Sequence, residues 1–488
     1  MSFLHRVAEI VDQCKSEYEE IARQSASTSE CNLDRMAGVA DFNLDEMYDR
    51  YIAKEAYQEV LDDGWLEKEN LLGYGDNLQF MRFLLEYKEM KGKIDLIYVD
   101  PPFYSKADYS IKLNIQSDKL EEDVKVKQIA YTDHWEGGLE DYLRMICLRL
   151  YMMKELLSDT GSIWVHLDWH VSHYVKLIMD EIFGAENFIN EVIWNYKSGG
   201  TSSRRFARKH DTLLFYGKTK DYYFEAQKEK SYNRGFKPYH FKGVEEFQDE
   251  VGWYTMVNMK DVWQLDMVGR TSAERTGYAT QKPEALLERI LRSCTKEGDV
   301  CADFFGGSGT LAAVASKMGR RWITCDMGSN SLAAIKRRLI GQNARFVVYK
   351  DKGIKETFEH IKECATTRIK ERRNLKLEFG CGVHDSKKRV QIRLIGYIPN
   401  ENAMKSLKES ERKEIKDALA KDPLCLIQSW SVDFEYNGDI HRPAETHFRK
   451  KGILKDTVEK ELREITDMSV SIRFIDVWGN EAKEIVEL

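Results

Sequence analysis

Proline is scarce in this 488-residue chain, which has only seven, and two of them stand side by side as Pro101 and Pro102. Long apolar runs are lacking too: no stretch of about 18 apolar residues occurs, so the sequence predicts no transmembrane helix. The segment Met1 to Arg23 mixes apolar and charged residues at helical spacing and lacks the features of a signal peptide. We therefore expect a cytoplasmic protein without a membrane partner.

The nine cysteines form no Cys-x-x-Cys pair. This spacing excludes a zinc ribbon and a redox-active pair, and we expect no metal site. The cysteines are predicted to be buried or free thiols in a reducing compartment.

The formal net charge of −7 does not favour a nucleic-acid partner for the chain as a whole. However, seven basic residues and a single acid, Asp211, lie between Tyr196 and Lys220. The stretch is either a solvated loop or a segment that contacts phosphates, and the Ser/Gly/Thr run from Ser198 to Ser203 suits both interpretations. The basic residues are Lys197, Arg204, Arg205, Arg208, Lys209, Lys218 and Lys220.

Apolar strands alternate with helical segments over much of the chain. Strands are predicted at Ile94 to Val99, Gly161 to Leu167, Val300 to Phe304 and Trp322 to Cys325. This alternation predicts an α/β fold with a Rossmann-like, doubly wound sheet. We place the domain at residues 69–346 and an aromatic, charged insert at about residues 197–277.

Two regions flank this domain. Residues 1–68 are predicted to be helical and amphipathic, with Met47, Tyr51, Ala53 and Val60 at apolar positions and Gly64 at the end. Residues 347–488 are predicted to form a separate α+β domain of unknown role. Its predicted elements are a basic helix at Ile361 to Arg373, strands at Arg389 to Ile398, Leu426 to Glu435 and Val470 to Val477, and a hairpin turn at Asn437-Gly438.

A glycine turn follows the predicted strand at Val300, with glycine at 306, 307 and 309 before a helix start. Such a turn lets a ligand approach the main chain closely, and Asp326, 20 residues after Gly306, is placed to accept hydrogen bonds from a ribose. No Gly-x-x-x-x-Gly-Lys-Ser/Thr pattern occurs, which argues against ATP on a P-loop. A nucleoside cofactor is predicted, while a dinucleotide fold and a turn needed only for packing remain alternatives.

The tetrad Asp100-Pro101-Pro102-Phe103 directly follows the strand that ends at Val99. Two prolines cannot continue a central strand, so the strand stops and Asp100 is held rigidly at its carboxyl end. Open α/β sheets bind their ligands at this edge.

In this order, the tetrad and the glycine turn resemble the β-class amino-methyltransferases of DNA, in which the catalytic motif precedes the cofactor loop. The resemblance covers roughly Leu71 to Arg338 and is strongest to the Mod-type adenine enzymes of type III restriction–modification systems and their stand-alone relatives. Further similar segments are Gly75 to Leu78, Tyr131 to Trp135, Gly161 to Asp168, Arg208 to Tyr216 and Thr280 to Glu284.

The resemblance implies S-adenosyl-L-methionine as cofactor and double-stranded DNA as substrate. It implies that Asp100, Pro101, Pro102 and Phe103 hold the target amine. Basic residues of the insert region, Lys197, Arg204, Arg205, Arg208 and Lys209, would contact DNA. The cofactor residues by resemblance are Asp76, Gln281, Lys282, Pro283, Asp303, Phe305, Gly306, Gly307, Ser308, Gly309 and Asp326.

The chemistry of an exocyclic amine suits the tetrad. The lone pair of this nitrogen is delocalised into the base, and two acceptors, the Asp100 carboxylate and the Pro101 carbonyl, would favour sp³ nitrogen. Phe103 offers a flat face on which a flipped base can stack. Cytosine C5 methylation needs a cysteine nucleophile, commonly in a Pro-Cys pair, and no proline here precedes a cysteine.

Two positions depart from the family pattern, since Phe103 and Asp326 stand where Tyr and Glu are usual. Members that methylate cytosine N4 generally carry Ser in place of Asp100, so Asp100 favours adenine N6. N4-cytosine methylation and a catalytically silent DNA-recognition subunit of a nuclease remain alternatives. A homodimer and a restriction subunit on another chain are expected partners by resemblance.

Overall fold

The structure is a computed structural model. It describes residues 3–27, 48–51, 70–86, 89–197, 202–269, 271–278, 280–342, 344, 346–350, 375–384, 387–399, 404, 407–436, 441, 443–462, 469–479 and 481–487. Within these residues, no helix is both long enough and apolar enough to cross a membrane.

A ten-stranded mixed sheet forms the centre of the molecule. Its six middle strands run parallel and are flanked by antiparallel partners at both sides. In spatial order the strands are β1 (Tyr48–Tyr51), β15 (Phe346–Lys350), β2 (Leu71–Tyr74), β14 (Arg321–Asp326), β13 (Val300–Asp303), β3 (Ile94–Val99), β6 (Leu157–Leu167), β8 (His210–Gly217), β7 (Phe188–Asn195) and β12 (Val262–Gln264).

Helices cover both faces of this sheet. Along β3, Ile97 and Val99 point into one apolar core while Leu96 and Tyr98 point into the other, as a strand buried on both faces requires. The first core receives α1 (Phe3–Ser27), α2 (Asn77–Glu86), α3 (Leu139–Leu156) and α4 (Ser172–Phe183), and the second receives α5 (Glu284–Cys294), α6 (Thr310–Lys317) and α7 (Ser329–Ile340). The predicted Rossmann-like, doubly wound sheet is confirmed.

The N-terminal region is helical only in part. Helix α1 packs on α3 through Val7, Ile10 and Val11, as its amphipathic pattern predicts. The helical prediction is wrong at Tyr48–Tyr51, which pairs antiparallel with β15 and extends the central sheet. The sequence of this segment has apolar residues at helical spacing. However, the outer edge of β15 has backbone groups that would be unpaired without a neighbouring strand. The predicted positions Met47, Ala53, Val60 and Gly64 lie outside the described residues.

The boundaries of the insert need correction. Strands β8 and β12 fall within residues 197–277, yet both belong to the central sheet. A separate three-stranded antiparallel sheet lies between them, formed by β9 (Lys228–Tyr232), β10 (Glu246–Gln248) and β11 (Trp253–Asn258). Tyr232 contacts the rings of Phe236 and Tyr254, so part of the aromatic residues pack on one another within this sheet.

The described part of the C-terminal region combines helix and strands around an apolar core, and its separation as an α+β domain stays a prediction. Its start needs correction, because Phe346–Lys350 is a strand of the central sheet. Among its described residues are one helix, α8 (Glu409–Lys421), and the strands β16 (Leu375–His384), β17 (Lys387–Tyr397), β18 (Ile427–Tyr436), β19 (Glu445–Phe448), β20 (Thr457–Leu462), β21 (Ser469–Asp476) and β22 (Glu481–Glu487). The predicted helix at 361–373 and the turn at 437–438 lie outside the described residues.

A hairpin from the central domain completes this C-terminal core. Strands β4 (Asp108–Ile115) and β5 (Val124–Thr132) pair antiparallel, and Ile115 and Val126 are buried among C-terminal apolar residues. The Ser117 hydroxyl at the hairpin tip donates to Asp422 over 2.6 Å. The hairpin directly follows the tetrad loop, so it links that loop to the C-terminal domain.

Candidate active site

The tetrad and the glycine turn lie side by side. Strands β3 and β13 are parallel neighbours, with Ile97 paired to Ala302, so the loops that follow them leave the same edge of the sheet. A cavity of about 360 Å³ lies between the loops, within the size range of small-molecule sites. It is lined by all four tetrad residues and by Asp303, Phe305, Gly306, Gly307, Ser308, Asp326, Asp76 and Lys282 among others.

The two carboxylate oxygens of Asp100 differ in their surroundings. Oδ2 accepts a hydrogen bond from the ammonium group of Lys282, in an ion pair whose side chains are 17% and 11% exposed. Oδ1 is buried and has no hydrogen-bond partner among the described residues. A buried carboxylate oxygen without a partner is costly, so its place in a cavity wall points to a donor on a ligand.

Phe103 is supported from below by a buried histidine. The ring of His166 lies 6.0 Å from that of Phe103 with 27° between their planes. Its Nε2 is 3.2 Å from the Asp211 carboxylate and its Nδ1 is 2.8 Å from the Tyr98 hydroxyl. A carboxylate only accepts, so Nε2 carries the hydrogen of the contact with Asp211. These two hydrogen bonds fix the orientation of the His166 ring, which packs against Phe103.

The charge of Asp211 is maintained by this arrangement. Burial acts to raise the pKa of Asp211, but hydrogen bonds from His166 and Tyr196 and the charges of His166 and Lys282 outweigh it, and the pKa lies below its ordinary value. The sequence placed Asp211 as the single acid of the basic stretch and within the similar segment Arg208 to Tyr216, but no pattern predicted its contact with His166, which is 45 residues away.

The glycine turn fits closely against the neighbouring strand. The Gly306 amide donates to the Cys325 carbonyl over 2.9 Å, and a Cβ at Gly306 would lie 2.5 Å from the Thr324 hydroxyl. Gly307 and Gly309 have φ of +50° and +69°, which other residues rarely adopt. The glycines are therefore needed for the shape of the turn.

Asp326 has a structural role in addition to its place in the cavity wall. Its Oδ2 accepts from the Gly307 amide and its Oδ1 from the Gly328 amide, both over 2.8 Å. Burial raises the pKa of Asp326, while these amides act in the opposite direction. Hydrogen bonds from Ser331 and the Met327 amide also act on this carboxyl, which lines the cavity and holds the glycine turn at the same time.

Asp303, at the end of β13, is a buried acid. Burial raises the pKa of Asp303 to about 8, and the negative charges of Asp100 and Asp326 add to this effect, against the Phe305 amide and the charge of Lys282. At neutral pH the cavity therefore holds a largely protonated carboxyl group that a cationic ligand would ionise.

Asp76 caps helix α2 and pairs with a buried arginine. Asp76 Oδ1 accepts from the Leu78 and Gln79 amides, and Oδ2 accepts from Arg149 over 2.8 Å. Arg149 also donates to Asn77, whose amide group reaches the Phe304 carbonyl over 2.7 Å. Arg149 and Asn77 thus connect the Gly75 segment to the glycine turn. Sequence reasoning missed Arg149, which is 73 residues from Asp76.

Three of the residues predicted to bind the cofactor do not line the cavity: Gln281, Pro283 and Gly309. Gln281 instead holds its own loop, since it accepts from Thr276 and donates to the Glu274 carbonyl over 2.7 Å. Lys282 does line the cavity, but its ammonium group contacts Asp100. This segment therefore lies between the tetrad and the helix that follows the glycine turn, since the Lys282 carbonyl accepts from the Thr310 hydroxyl over 3.2 Å.

A buried carboxylate closes the loop after the tetrad. Asp133 accepts from the Ser105 amide over 2.6 Å, from the Ser105 hydroxyl over 2.8 Å and from the Trp135 indole over 3.0 Å. Asp133 is fully buried, and no sequence pattern predicted its contacts with Ser105. These bonds clamp the base of the β4–β5 hairpin to the tetrad loop.

The basic loop between β7 and β8 lies at the same sheet edge. Lys197, Arg204, Arg205 and Arg208 are exposed, and Lys209 is half-buried. The Arg208 guanidinium lies 3.3 Å from the centre of the Trp169 ring. Residues 198–201, which carry most of the predicted Ser/Gly/Thr run, lie outside the described residues.

Fold and cleft together define a doubly wound α/β protein with its ligand site at the switch between β3 and β13. The chain belongs to the N6_N4_Mtase family, described as DNA methylase, which matches residues 94–337, half of its length. It is 28% identical to the type II methyltransferase M.HinfI of Haemophilus influenzae over 262 residues, which are 50% of this chain but only 63% of that protein. It is 26% identical to M2.DpnII of Streptococcus pneumoniae over 277 residues, 56% of this chain and 90% of that protein.

Solved structures align less closely. The PvuII DNA methyltransferase, described as cytosine-N4-specific, aligns with a TM-score of 0.37 and 17% identity over 56% of this chain and 86% of that chain. The M1.HpyAVI–SAM complex aligns with a TM-score of 0.35 and 18% identity over 55% of this chain and 98% of that chain.

Proposed function

We propose that this chain transfers the methyl group of S-adenosyl-L-methionine to N6 of adenine in double-stranded DNA. The observation that carries this proposal is Asp100 Oδ1, a buried acceptor without a partner among the described residues in the wall of the cavity. An exocyclic amine offers the N–H donor that this oxygen lacks. The family of DNA methylases supplies the substrate class.

The cofactor half of the cleft fits S-adenosyl-L-methionine. Gly306 leaves no room for a side chain, Asp326 places a carboxylate in the cavity wall where ribose hydroxyls would lie, and Asp303 is a buried carboxyl that suits a cation. When bound, the cofactor supplies an electrophilic methyl group on a sulfonium.

The chain itself contributes position and charge. Lys282 binds Asp100 Oδ2, which leaves Oδ1 available for one hydrogen of the amine, and the Pro101 carbonyl would accept the other. Phe103 would stack on the base, with His166 packed behind it. Accepting both hydrogens keeps the nitrogen lone pair free for attack, so catalysis would rest on orientation and electrostatics.

We propose adenine as the target because of Asp100. Amino-methyltransferases that methylate cytosine N4 generally carry Ser at this position. N4-cytosine remains the second candidate. Four further expectations stay proposals: the likeness to type III Mod subunits, the homodimer, the restriction subunit on another chain, and the DNA contacts of the basic loop. A catalytically silent DNA-recognition subunit is disfavoured by the intact tetrad and glycine turn.

Mass spectrometry of nucleosides tests this proposal. Unmethylated plasmid DNA is incubated with the protein and deuterated S-adenosyl-L-methionine, digested and analysed. Labelled N6-methyladenine is expected. Labelled N4-methylcytosine would show that the target base is cytosine and not adenine. If folded, cofactor-bound protein yields no labelled nucleoside, the methyltransferase proposal itself is contradicted.

A further inference from the structure

The basic loop carries one phenylalanine that makes almost no contact with the protein. Phe206 is 98% exposed, the highest value among the exposed large apolar residues described. It follows Arg204 and Arg205 and precedes Arg208 by two positions. An exposed aromatic ring contributes nothing to the core of this chain, and burying it elsewhere would gain free energy.

The loop leaves the central sheet at the same edge as the tetrad loop. Strand β7 ends at Asn195, paired with His210 at the start of β8, and β8 runs antiparallel to β6. The loop therefore leaves the sheet at the edge where β6 and β3 end. Strand β8 is two strands from β3, a separation of about 10 Å.

Contacts attach both ends of the loop to the wall of the target site. Beyond its N-terminal end, the Tyr196 hydroxyl donates to Asp211 over 3.0 Å, and Asp211 contacts His166, the ring behind Phe103. Near its C-terminal end, Arg208 covers the ring of Trp169, which comes two residues after β6. Phe206 is thus carried by a loop that is connected, through Asp211, to the histidine packed behind Phe103.

The charges around Phe206 identify the occupant of this surface. Four exposed cations, Lys197, Arg204, Arg205 and Arg208, lie in or beside the same loop. Their charge complements the phosphates of a DNA duplex. An apolar side chain next to phosphate-binding arginines is the arrangement with which proteins enter a base step and unstack it.

We propose that Phe206 enters the duplex at the place that the target adenine leaves and stabilises the flipped state of that base. Arg204 and Arg205 bind the flanking phosphates, and the stack of Arg208 on Trp169 fixes the direction of the loop. A base inside the duplex cannot reach Asp100 Oδ1, so a flip has to precede the chemistry. This inference rests on the proposed function and names the residue that opens the duplex.

The test compares wild type with Phe206→Ala, Phe206→Leu and, as a control, Phe241→Ala, which removes another exposed ring, 62% exposed, from the insert region. The recognised site is first mapped in plasmid DNA methylated by wild type. Two duplexes carrying that site are then made, one with the normal base opposite the target adenine and one with an abasic position there. kcat/KM for methyl transfer is measured on both.

Phe206→Ala is expected to lower kcat/KM about 10- to 100-fold on the paired duplex, the effect of losing one base–aromatic stack, and to lose far less on the abasic duplex, where the target is already unpaired. Phe206→Leu should retain most activity, and Phe241→Ala should leave the ratio between the two duplexes unchanged. Fluorescence of 2-aminopurine at the target position should rise with wild type and not with Phe206→Ala.

Equal losses of Phe206→Ala on both duplexes, or none on either, would overturn the proposal. Thermal unfolding should be unchanged because the side chain is exposed. Failure of wild type to methylate any DNA would instead contradict the proposed function, so the two failures are distinguishable.

Discussion

The buried acid Asp303 predicts a pH-dependent affinity for the cofactor. With a pKa raised to about 8, this carboxyl is largely protonated near pH 7 in the free protein. S-adenosyl-L-methionine carries a positive sulfonium, which interacts better with the ionised form. Binding should therefore become tighter as the pH rises, and each cofactor bound near neutral pH should release part of a proton from Asp303.

The magnitude follows from the ionised fraction. A group of pKa about 8 is roughly 3% ionised at pH 6.5 and roughly 90% at pH 9, so the apparent affinity of wild type can rise by up to about 30-fold over this range. The Asp303→Asn variant is neutral throughout and should lack this rise. The cofactor amine also titrates here, but it does so for both proteins, so the ratio of their affinities isolates Asp303.

Isothermal titration calorimetry from pH 6.5 to 9 measures this ratio, and buffers of different ionisation enthalpy report the proton released. S-adenosyl-L-homocysteine, which lacks the sulfonium charge, is the matched control ligand. The ratio of its affinities for wild type and Asp303→Asn should change less with pH. Parallel pH profiles for wild type and Asp303→Asn would refute the reasoning.

The same pKa has a consequence for stability. The folded protein holds a proton on Asp303 that the unfolded chain releases above its ordinary pKa, so the contribution of Asp303 to stability falls as the pH rises through this window and levels off above about 8. Without cofactor, the free energy of unfolding of Asp303→Asn minus that of wild type should therefore be larger at pH 9 than at pH 5. Chemical denaturation at the two pH values measures this difference.

Two glycine substitutions test the packing around the cleft. Gly306→Ala places a Cβ 2.5 Å from the Thr324 hydroxyl and should cost about 1–3 kcal/mol, seen as a lower Tm together with weaker cofactor binding, while Gly269→Ala, with open space around its Cβ, should change neither. Gly452→Ala places a Cβ 3.0 Å from the backbone of the β4–β5 hairpin tip and should lower both the Tm and the methylation rate. Gly243→Ala is the control for backbone strain, because its φ of +81° is similar but no atom lies within 4 Å of its Cβ. An unchanged rate in a destabilised Gly452→Ala would contradict the coupling of the hairpin to the tetrad loop.

The central fold was predictable because local patterns agree with it. The strand Ile94–Val99 has the predicted bounds, and the strands predicted at Val300 and Trp322 differ from prediction by one residue at their ends. The side-by-side position of Asp100 and the glycine turn also followed from sequence, since parallel strands end at one sheet edge.

What sequence could not supply were contacts between distant segments. The edge pairing of Tyr48–Tyr51, the Arg149–Asp76 ion pair and the burial of the hairpin in the C-terminal core depend on which surfaces meet after folding. No local periodicity encodes them. The same holds for Lys282, whose motif indicated the cofactor but whose ammonium group binds Asp100.

The central claim is that Asp100 activates the target amine in a cleft shared with the cofactor. The most direct measurement is single-turnover transfer of a labelled methyl group to DNA by wild type and by Asp100→Ala, with cofactor affinity determined calorimetrically for both. We predict that Asp100→Ala binds the cofactor like wild type and transfers no detectable methyl group. Transfer at the wild-type rate by Asp100→Ala would contradict the account.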